Sequence, residues 1–421
     1  MREMKDSGIE WIGKIPHCWN TSKLKYLGQY INGYAFKPEE WGSKGVPIIR
    51  IQDLTGSNDN PNYFEGQIDK KYGVENGDIL ISWAATLDAF IWNKGNGWLN
   101  QHIFKAVPNR RIIDYDFFFW MIKESMKNMN NDNKHGIFMQ HVTLSVFNNF
   151  TIPMPPLAEQ HRIAAFLDRK CAEIDAVLEK TRASIEEYKK LKQAVITQAV
   201  TKGIRGDRPM KDSGIEWIGE IPAEWTASKI KYCTEFAPSC NTSHLSEDSL
   251  VTFTPMECIK NGYFENREAH FSALSSSYTQ YQDGDIVFAK VTPCFENGNI
   301  AIMQGLSAGV GFGSSELFVI RPQSINTEFI FYYLQNDIFK QYACATMTGT
   351  GGLKRVSPTF VRNYSVFIPC NEEQLEIVRY LNEKCSGIEV LIAKKQQYLT
   401  EIENYKKSLI YEYVTGKKEV V

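Results

Sequence analysis

The longest segment without glycine or proline constrains the fold of this chain most. It covers residues 157–201, follows the proline-containing segment 152–160 and ends before Gly203. Prolines before the first turn and glycine after the last are typical boundaries of a helix. Ten positions inside it are separated by alternating gaps of four and three residues: Leu167, Cys171, Ile174, Leu178, Thr181, Ile185, Tyr188, Lys192, Val195 and Ala199. This heptad seam predicts a long helix that packs lengthwise against another helix.

The same chain supplies a candidate partner helix. The seam recurs 214 residues later, and eight of its ten positions are again apolar or aromatic: Leu381, Cys385, Ile388, Ile392, Lys395, Leu399, Ile402, Lys406, Leu409 and Tyr413. The proline-containing opening recurs too, at 368–374. Equal register along the whole seam disfavours two unrelated core helices. Such a helix spans about 60–70 Å at 1.5 Å per residue, which is longer than a compact domain needs and indicates a spacer.

A second repeat shows that the whole chain is duplicated. Residues 4–13, with the sequence MKDSGIEWIG, recur letter for letter at 210–219. Each half is therefore an opening motif, a divergent body and a long helix, and the period is far too long for a solenoid. The repeats predict a first domain at 1–151, a first spacer helix region at 152–206, a second domain at 207–367 and a second spacer helix region at 368–421.

The two bodies, at 28–150 and 234–366, share a frame of short apolar runs that follow turns. Such runs predict strands, and we place them at 46–51, 77–82, 103–107, 284–289, 300–302 and 317–320. Helical segments are predicted at 115–129 and 327–344. Loops rich in glycine and asparagine separate these elements, so each body is expected to be a mixed sheet with a few helices and long loops. A shared frame with divergent loops is expected where one architecture recognises two different targets.

Composition excludes several classes of protein. The chain has 421 residues, enough for more than one domain, and no run of about 18 apolar residues that would span a membrane. The first residues form no apolar signal region, and the nine cysteines never have CxxC spacing, so we expect free thiols and a cytoplasmic location. A net charge of −2 is not that of a strongly basic nucleic-acid binder. Binding to DNA would depend on local basic patches and on partners.

No motif of an enzyme is present. The sequence lacks GxSxG, HExxH, a Walker A loop and zinc-ligand spacing. It also lacks the glycine-rich cofactor loop of a methyltransferase and the Asn/Asp-Pro-Pro-aromatic tetrapeptide that holds a target amine. Residues 285–290 match the (D/E)-x-K pattern of a nuclease only loosely, and the first body has no such lysine. The chain is predicted to be non-catalytic and to hold no metal.

The order of these parts resembles the specificity (S) subunit of type I restriction–modification systems. The resemblance rests on the opening at 5–13 with its copy, the motif at 152–160, the turns at 77–82 and 284–289, and the stretch KVTPCFENG at 290–298. It covers nearly the whole chain. The doubled plan is highly specific, whereas each short motif is only moderately so. The second copy has Cys370 and Asn371 where the first has three residues, Met154, Pro155 and Pro156.

The resemblance implies a fold and a set of partners. The fold is α+β: two mixed α/β target-recognition domains separated by two long helices packed as an antiparallel coiled coil, with a pseudo-two-fold internal repeat. Each domain would read half of a split double-stranded DNA target, and the helices would set the gap between the halves. Two modification subunits, which carry S-adenosylmethionine and methylate adenine, would bind this scaffold together with restriction subunits that use ATP and Mg. This chain itself would bind none of those cofactors.

Candidate DNA contacts lie mainly in the second body. We favour Lys290, Thr292 and Asn297, then Lys354 and Arg355 beside the loop 349–352. Glycines there allow close approach of the backbone to a phosphate, and arginine can bind guanine through two hydrogen bonds. A flexible loop with solvated charges is an equally open alternative.

The first body offers a comparable loop at 134–141. We select Lys134, Gln140, which could read adenine, and His141, for which a structural role is the alternative. Residues 100–102 and 314–316 lie at corresponding strand starts; the resemblance makes them frame or groove residues, and we favour the frame. Three tryptophans could stack on a flipped base, although core packing is favoured: Trp83, Trp92 and Trp98. Four lysines on the long helices are expected to be solvated or to contact modification subunits: Lys189, Lys190, Lys406 and Lys407.

Two other classes of function remain open at this point. One is a coiled-coil adaptor whose bodies bind proteins or sugars, and the other is a self-sufficient methyltransferase. A steep loss of DNA binding with salt would argue against the first, and failure of the isolated chain to bind S-adenosylmethionine would argue against the second.

Overall fold

The chain divides into two units, each with one body and part of both heptad-bearing segments. The computed structural model describes residues 2–58, 60–131, 142–216, 218–274, 277–349 and 352–420. The first unit comprises 1–181 and 397–421, and the second comprises 182–396. The four predicted segments follow the sequence repeats rather than these contacts, and their boundaries stay a prediction.

The described residues of the first half of the chain form two four-stranded sheets and two two-stranded sheets. Its strands are β1 (Met4–Ile9), β2 (Gly13–Pro16), β3 (Asn20–Lys23), β4 (Gly28–Asn32), β5 (Val46–Ile49), β6 (Tyr63–Phe64), β7 (Gly73–Val74), β8 (Ile79–Ser82), β9 (Asp88–Ile91), β10 (Gly97–Leu99), β11 (Ile103–Pro108) and β12 (Thr151–Met154). Its helices are α1 (Ile51–Thr55), α2 (Tyr115–Asn131), α3 (Leu144–Asn149) and α4 (Leu157–Lys202). The sheet orders are β4-β11-β8-β9 and β6-β5-β10-β7, with the pairs β1-β2 and β12-β3 beside them.

The second half repeats this arrangement strand for strand. Its strands are β13 (Met210–Asp212), β14 (Glu220–Pro222), β15 (Thr226–Lys229), β16 (Thr234–Phe236), β17 (Leu250–Thr254), β18 (Glu268–His270), β19 (Thr279–Gln282), β20 (Ile286–Ala289), β21 (Ile300–Ile302), β22 (Val310–Gly313), β23 (Leu317–Pro322) and β24 (Ser365–Ile368). Its helices are α5 (Ile230–Cys233), α6 (Thr327–Gln335), α7 (Asp337–Ala345), α8 (Pro358–Asn363) and α9 (Asn371–Val414). The sheet orders are β16-β23-β20-β21 and β18-β17-β22-β19.

In each body one four-stranded sheet is wholly antiparallel, and the other, β6-β5-β10-β7 or β18-β17-β22-β19, mixes strand orientations in the same way. The central pairs β5-β10 and β17-β22 are parallel, and the strands that flank them are antiparallel. The predicted duplication is therefore confirmed in the topology as well as in the opening motif. Strands β8 and β20 are buried on both faces, which explains why they were visible as apolar runs.

Two predicted elements are interrupted by polar caps. The predicted strand 46–51 ends at Ile49, because the Asp53 carboxylate accepts a hydrogen bond of 2.8 Å from the Arg50 amide and starts α1. The predicted helix 327–344 is two helices, since the buried Asn336 leaves helical geometry and its side chain accepts from the Ile338 amide at 2.7 Å. The prediction of one continuous helix there was wrong.

The two long helices run antiparallel inside each unit. In the first unit Phe166 packs on Tyr413, with ring centroids 4.4 Å apart, and Asp175 pairs with Lys406 at 2.6 Å. In the second unit the Tyr188 ring lies 5.7 Å from the Lys395 ammonium. Lys192 pairs with Glu389 at 2.5 Å. Positions rise along α4 as they fall along α9, and all twenty seam positions are buried or half-buried, so the predicted coiled-coil packing is confirmed within each unit.

Two of the three seam lysines, Lys192 and Lys406, occupy the same position in the two copies and form reciprocal ion pairs. Lys192 of α4 pairs with Glu389 of α9, while its counterpart Lys406 of α9 pairs with Asp175, the counterpart of Glu389 at an offset of 214. Polar residues at single seam positions specify register at some cost in stability. The charge pattern therefore favours the antiparallel alignment seen in each unit over neighbouring registers.

Reversing one seam charge tests this pairing. We expect Lys406→Glu to lower the free energy of unfolding of the first unit by about 1 kcal/mol, because it places two carboxylates at a partly exposed contact. Adding Asp175→Lys should restore most of that loss in a double-mutant cycle followed by urea unfolding. Independent, additive effects of the two substitutions would contradict the pairing.

Candidate nucleic-acid interface

Backbone hydrogen bonds at the end of β20 hold Lys290 between two other segments of the second body. The Lys290 amide donates to the Glu316 carbonyl oxygen at 3.0 Å, and the Val356 amide donates to the Lys290 carbonyl oxygen at 2.9 Å. The side chain is about one-quarter exposed, and its ammonium donates to the Ser315 carbonyl oxygen at 2.6 Å. Lys290 is thus fixed at the surface where β20, β23 and the segment before α8 meet.

Thr292 forms hydrogen bonds with residues at the end of the glycine-rich loop 349–352. Its hydroxyl donates to the Gly352 carbonyl oxygen at 2.8 Å and accepts from the Lys354 amide at 3.0 Å. Thr348 and Arg355 exchange backbone hydrogen bonds of 3.1 and 2.8 Å, so the loop is pinned at its base. A Cβ on Gly349 would lie 2.2 Å from the Leu353 carbonyl oxygen, which explains why glycine is needed there. The loop presents the exposed Lys354 side chain from an ordered base.

Arg355 makes a two-point ion pair with Glu316. Its Nε donates to Oε2 at 2.9 Å and its Nη2 donates to Oε1 at 2.6 Å. These hydrogen bonds lower the pKa of the Glu316 carboxyl from its usual value, with Lys290 contributing, so the carboxylate is ionised at neutral pH. Lys290 and Arg355 both lie beside the Glu316 carboxylate, and the exposed Lys354 precedes Arg355 in the chain. Together the four residues carry a formal charge of +2, which is suited to an anionic ligand.

The structure brings four of the five candidates of the second body together. Asn297 is the exception: it is exposed on the turn that follows Pro293, whose carbonyl oxygen accepts from the Asn297 amide at 3.0 Å. Within the described ranges, no hydrogen bond joins its side chain to the Lys290–Arg355 cluster. Whether any of the five contacts DNA stays a prediction.

The first body uses the same backbone frame with different side chains. The Trp83 amide donates to the His102 carbonyl oxygen at 3.4 Å and the Val142 amide donates to the Trp83 carbonyl oxygen at 2.9 Å, as at Lys290. Trp83 stacks on Phe104 at 5.7 Å and lies beside the His102 ring at 5.4 Å. Here the surface is aromatic where the second body is charged. The predicted contacts Lys134, Gln140 and His141 lie outside the described residues.

Trp92 and Asn100 are buried, whereas Glu316 takes part in the charged patch. Trp92 is 5% exposed and its indole nitrogen donates to the Gly95 carbonyl oxygen at 2.5 Å, so core packing is confirmed for it. Asn100, also 5% exposed, belongs to the frame as predicted. Glu316 was assigned to the frame as well, yet its side chain is the acceptor at the centre of the charged patch. Glu316 occupies the position of His102 in the second copy, at the offset of 214. This change of residue at one frame position was the sequence signal that could have identified it.

Sequence reasoning missed a buried network at the start of each long helix. Glu373 accepts from the Trp225 indole at 3.1 Å and from Arg208 at 2.5 Å, with the carboxylate side chain 1% exposed. In the first unit Glu159 accepts from the Trp19 indole at 2.9 Å and pairs with Arg2. The glutamines that follow, Gln160 and Gln374, bond the body to the proline segment in both halves.

Three of the four helix lysines are exposed as expected: Lys189, Lys190 and Lys407. Lys406 instead lies in the seam, is 22% exposed and pairs with Asp175. Lys189 and Lys190 form exposed pairs with Glu186 and Glu187, one turn earlier on α4. Exposed pairs of this kind contribute little to stability. Among the described residues no group of three or more histidine, cysteine or acidic side chains could hold a metal ion. None of the described helices combines the length and apolar character needed to cross a bilayer.

Comparisons with known proteins agree with this architecture. Residues 16–187 and 239–401 match the type I restriction modification DNA specificity domain, which is more than half of the chain. The chain is 25% identical over 420 residues to the type I restriction enzyme MjaVIII specificity subunit of Methanocaldococcus jannaschii, covering 97% of this chain and 94% of that protein. It is 33% identical over 189 residues to the EcoEI specificity subunit of Escherichia coli, an alignment that spans about a third of that relative's length.

A solved structure shows the same fold over nearly the whole chain. The matching chain comes from a study of complex assembly and conformational transition of the type I R-M system. The TM-score is 0.70 at 15% identity, and the match covers 96% of this chain and 99% of that one. Together with the doubled sheets, the paired long helices and the two matched domains, these comparisons establish that the chain belongs to the type I restriction–modification DNA specificity family.

Proposed function

We propose that the chain is the DNA-recognition subunit of a type I restriction–modification complex, binds a bipartite DNA target and scaffolds the modification and restriction subunits. The observation that carries this proposal is the contrast between the two bodies. One backbone frame presents Trp83 and His102 in the first body and Lys290, Glu316 and Arg355 in the second. Sequence is read by side chains at base edges, so identical frames with different side chains suit two different half-sites.

The long helices suit a spacer between the two readers. Two readers on one face of a duplex must be about 34–36 Å apart or a multiple of that distance. Each of α4 and α9 contributes residues to both units. A paired helix transmits a fixed length better than a flexible linker does. We therefore assign to the helices the role of setting the unread gap.

The duplicated frame also suits two copies of one partner. The opening motif and its attachment to the long helix are repeated nearly unchanged, so the chain offers the same surface twice. We assign these surfaces to two modification subunits, with restriction subunits completing the complex. S-adenosylmethionine, ATP and Mg belong to those partners in this proposal, and the chain contributes no catalytic group.

The direct test uses the purified chain together with its modification subunits. We expect adenine methylation at a two-part site with a fixed gap, and DNA binding that falls steeply as salt is raised. Methylation at a continuous site, or methylation that does not require this chain, would contradict the proposal. DNA binding that is indifferent to salt would favour the adaptor, and S-adenosylmethionine binding by the isolated chain would favour a self-sufficient methyltransferase.

Exchange of one body tests whether each body recognises its own half-site. Replacing residues 28–150 with the corresponding body of another family member should change one half-site of the methylated sequence and leave the other half and the gap unchanged. Replacing 234–366 is the matched control and should change only the other half-site. Sequencing of methylated adenines gives the readout, and a change in both halves from one exchange would contradict independent readers.

A further inference from the structure

The side chain of Arg355 is held along one edge and free at its end. Glu316 occupies the edge formed by Nε and Nη2, at 2.9 and 2.6 Å. Among the described residues none accepts a hydrogen bond from Nη1, and the side chain is 48% exposed. The guanidinium therefore directs its Nη1 and remaining Nη2 hydrogens away from the carboxylate. Two parallel donors at the end of a fixed arginine match two neighbouring acceptors on a ligand.

The carboxylate that holds Arg355 is itself fixed. Glu316 directly precedes β23, which is paired with the buried β20. The Glu316 amide donates to the Ser314 hydroxyl at 3.2 Å, and the Lys290 ammonium lies 3.8 Å from Oε2. A side chain fixed before binding loses less conformational freedom when a ligand arrives. Both carboxylate oxygens of Glu316 contact Arg355 or Lys290. The Arg355 guanidinium, and not the carboxylate, is therefore the group offered to the ligand.

We propose that Arg355, positioned by Glu316, reads a guanine in the half-site of the second body. This inference rests on the proposed function and identifies one base pair of its target. Guanine presents O6 and N7 as adjacent acceptors in the major groove, which is the pattern that a bidentate arginine end recognises. A phosphate also accepts two hydrogen bonds from an arginine, and the experiment below separates the two ligands because loss of guanine N7 leaves every phosphate unchanged.

The neighbouring Lys354 differs from Arg355 because no carboxylate among the described residues holds its side chain. Its side chain is exposed, and the described part of the chain shows no ion pair with it. A compact, flexible ammonium without a carboxylate partner suits a phosphate. The first body carries His102 at the position of Glu316, and an imidazole ring lacks the pair of carboxylate oxygens that holds an arginine in this way. The guanine is therefore assigned to the second body alone.

The test begins with the wild-type chain in complex with its modification subunits, once its methylated sequence has been mapped. Each guanine of the second half-site is replaced in turn by 7-deazaguanine, which removes N7 and keeps the pairing with cytosine. At one guanine we expect a loss of affinity within the range of about 5- to 150-fold. Arg355→Ala should bind the normal and modified duplexes with nearly equal affinity.

Two further variants separate positioning from structure. Glu316→Ala should reduce discrimination at that one base pair, and it should have no further effect when Arg355→Ala is already present. Lys354→Ala is the matched control: it should weaken binding to all sequences alike and reduce the slope of log affinity against log salt by about one.

Two results would overturn the assignment of guanine. One is a second half-site in which no guanine is sensitive to loss of N7. The other is an Arg355→Ala variant that behaves like Lys354→Ala, with uniform weakening and a lower salt slope. Either would leave the proposed function intact, because the wild-type complex would still recognise its two-part site. If the wild-type complex recognised no two-part site, that result would contradict both the guanine assignment and the proposed function.

Discussion

Replacing Glu373 with alanine is expected to lower the free energy of unfolding of the second unit by about 3–5 kcal/mol. The substitution removes the acceptor of the fully buried Trp225 indole and the buried partner of Arg208, whose side chain is only 10% exposed. Among the described carboxylates Arg208 keeps only the half-exposed Glu224. A buried cation that loses its buried carboxylate is costly because it has given up water as well as that partner. Urea unfolding followed by tryptophan fluorescence measures the loss.

The adjacent acidic residue gives the matched control. Glu372 is exposed in the first turn of α9, where it interacts with the helix dipole, so Glu372→Ala should cost less than about 1 kcal/mol. Glu159→Ala should reproduce the large effect in the first unit, where Trp19 and Arg2 make the equivalent contacts. Equal, small effects of all three substitutions would show that the buried network does not stabilise the attachment of each body to its helix.

Lengthening the helices is expected to have the largest effect on specificity. Four residues inserted after Ser184 in α4 alone should abolish methylation of the wild-type site, because they add about 6 Å to one helix and disturb its register with α9. Inserting four residues also after Tyr398, the counterpart of Ser184 in α9, should move methylation to a site with a gap about two base pairs longer, at about 3.4 Å per pair. Sequencing of methylated adenines from both variants reads this out. A double variant that keeps the original gap would contradict the proposed spacer.

The helices and the frame of each body could be predicted from the sequence because both depend on local periodicity. The seam from Leu167 to Ala199 requires only alternating gaps of four and three, and its copy removes most of the ambiguity. Strands such as β8 and β20 were visible because both of their faces are buried. The break at Asn336 was missed because the apolar pattern continues across it and only a side-chain hydrogen bond reveals the new cap.

The contacts of the candidate interface could not be predicted, because they join positions far apart in the chain. Arg355 and Glu316 are separated by 39 residues, and Glu159 and Arg2 by 157. Nothing in the local sequence distinguishes Glu316 from an ordinary strand-edge glutamate. The offset between the two bodies was the useful signal, since it matches Glu316 to His102 and so identifies one frame position that carries different chemistry.

The two copies contain two kinds of residue: those that are repeated unchanged and those that differ at the same position of the frame. The Glu-Gln pairs in the first turn of each long helix are repeated unchanged, which is explained by buried hydrogen bonds that the fold needs twice. Residues that differ on the same frame have no such structural requirement, so they are the ones to which recognition is assigned.

The most direct measurement is a map of methylated adenines across the genome in cells that carry this gene and in cells from which it has been deleted. Our account predicts that one class of sites depends on the gene, and that these sites consist of two unlike short sequences separated by a constant number of unread base pairs. An unchanged map, or a gene-dependent site without a gap, would contradict the central claim that this chain holds two different readers at a fixed separation.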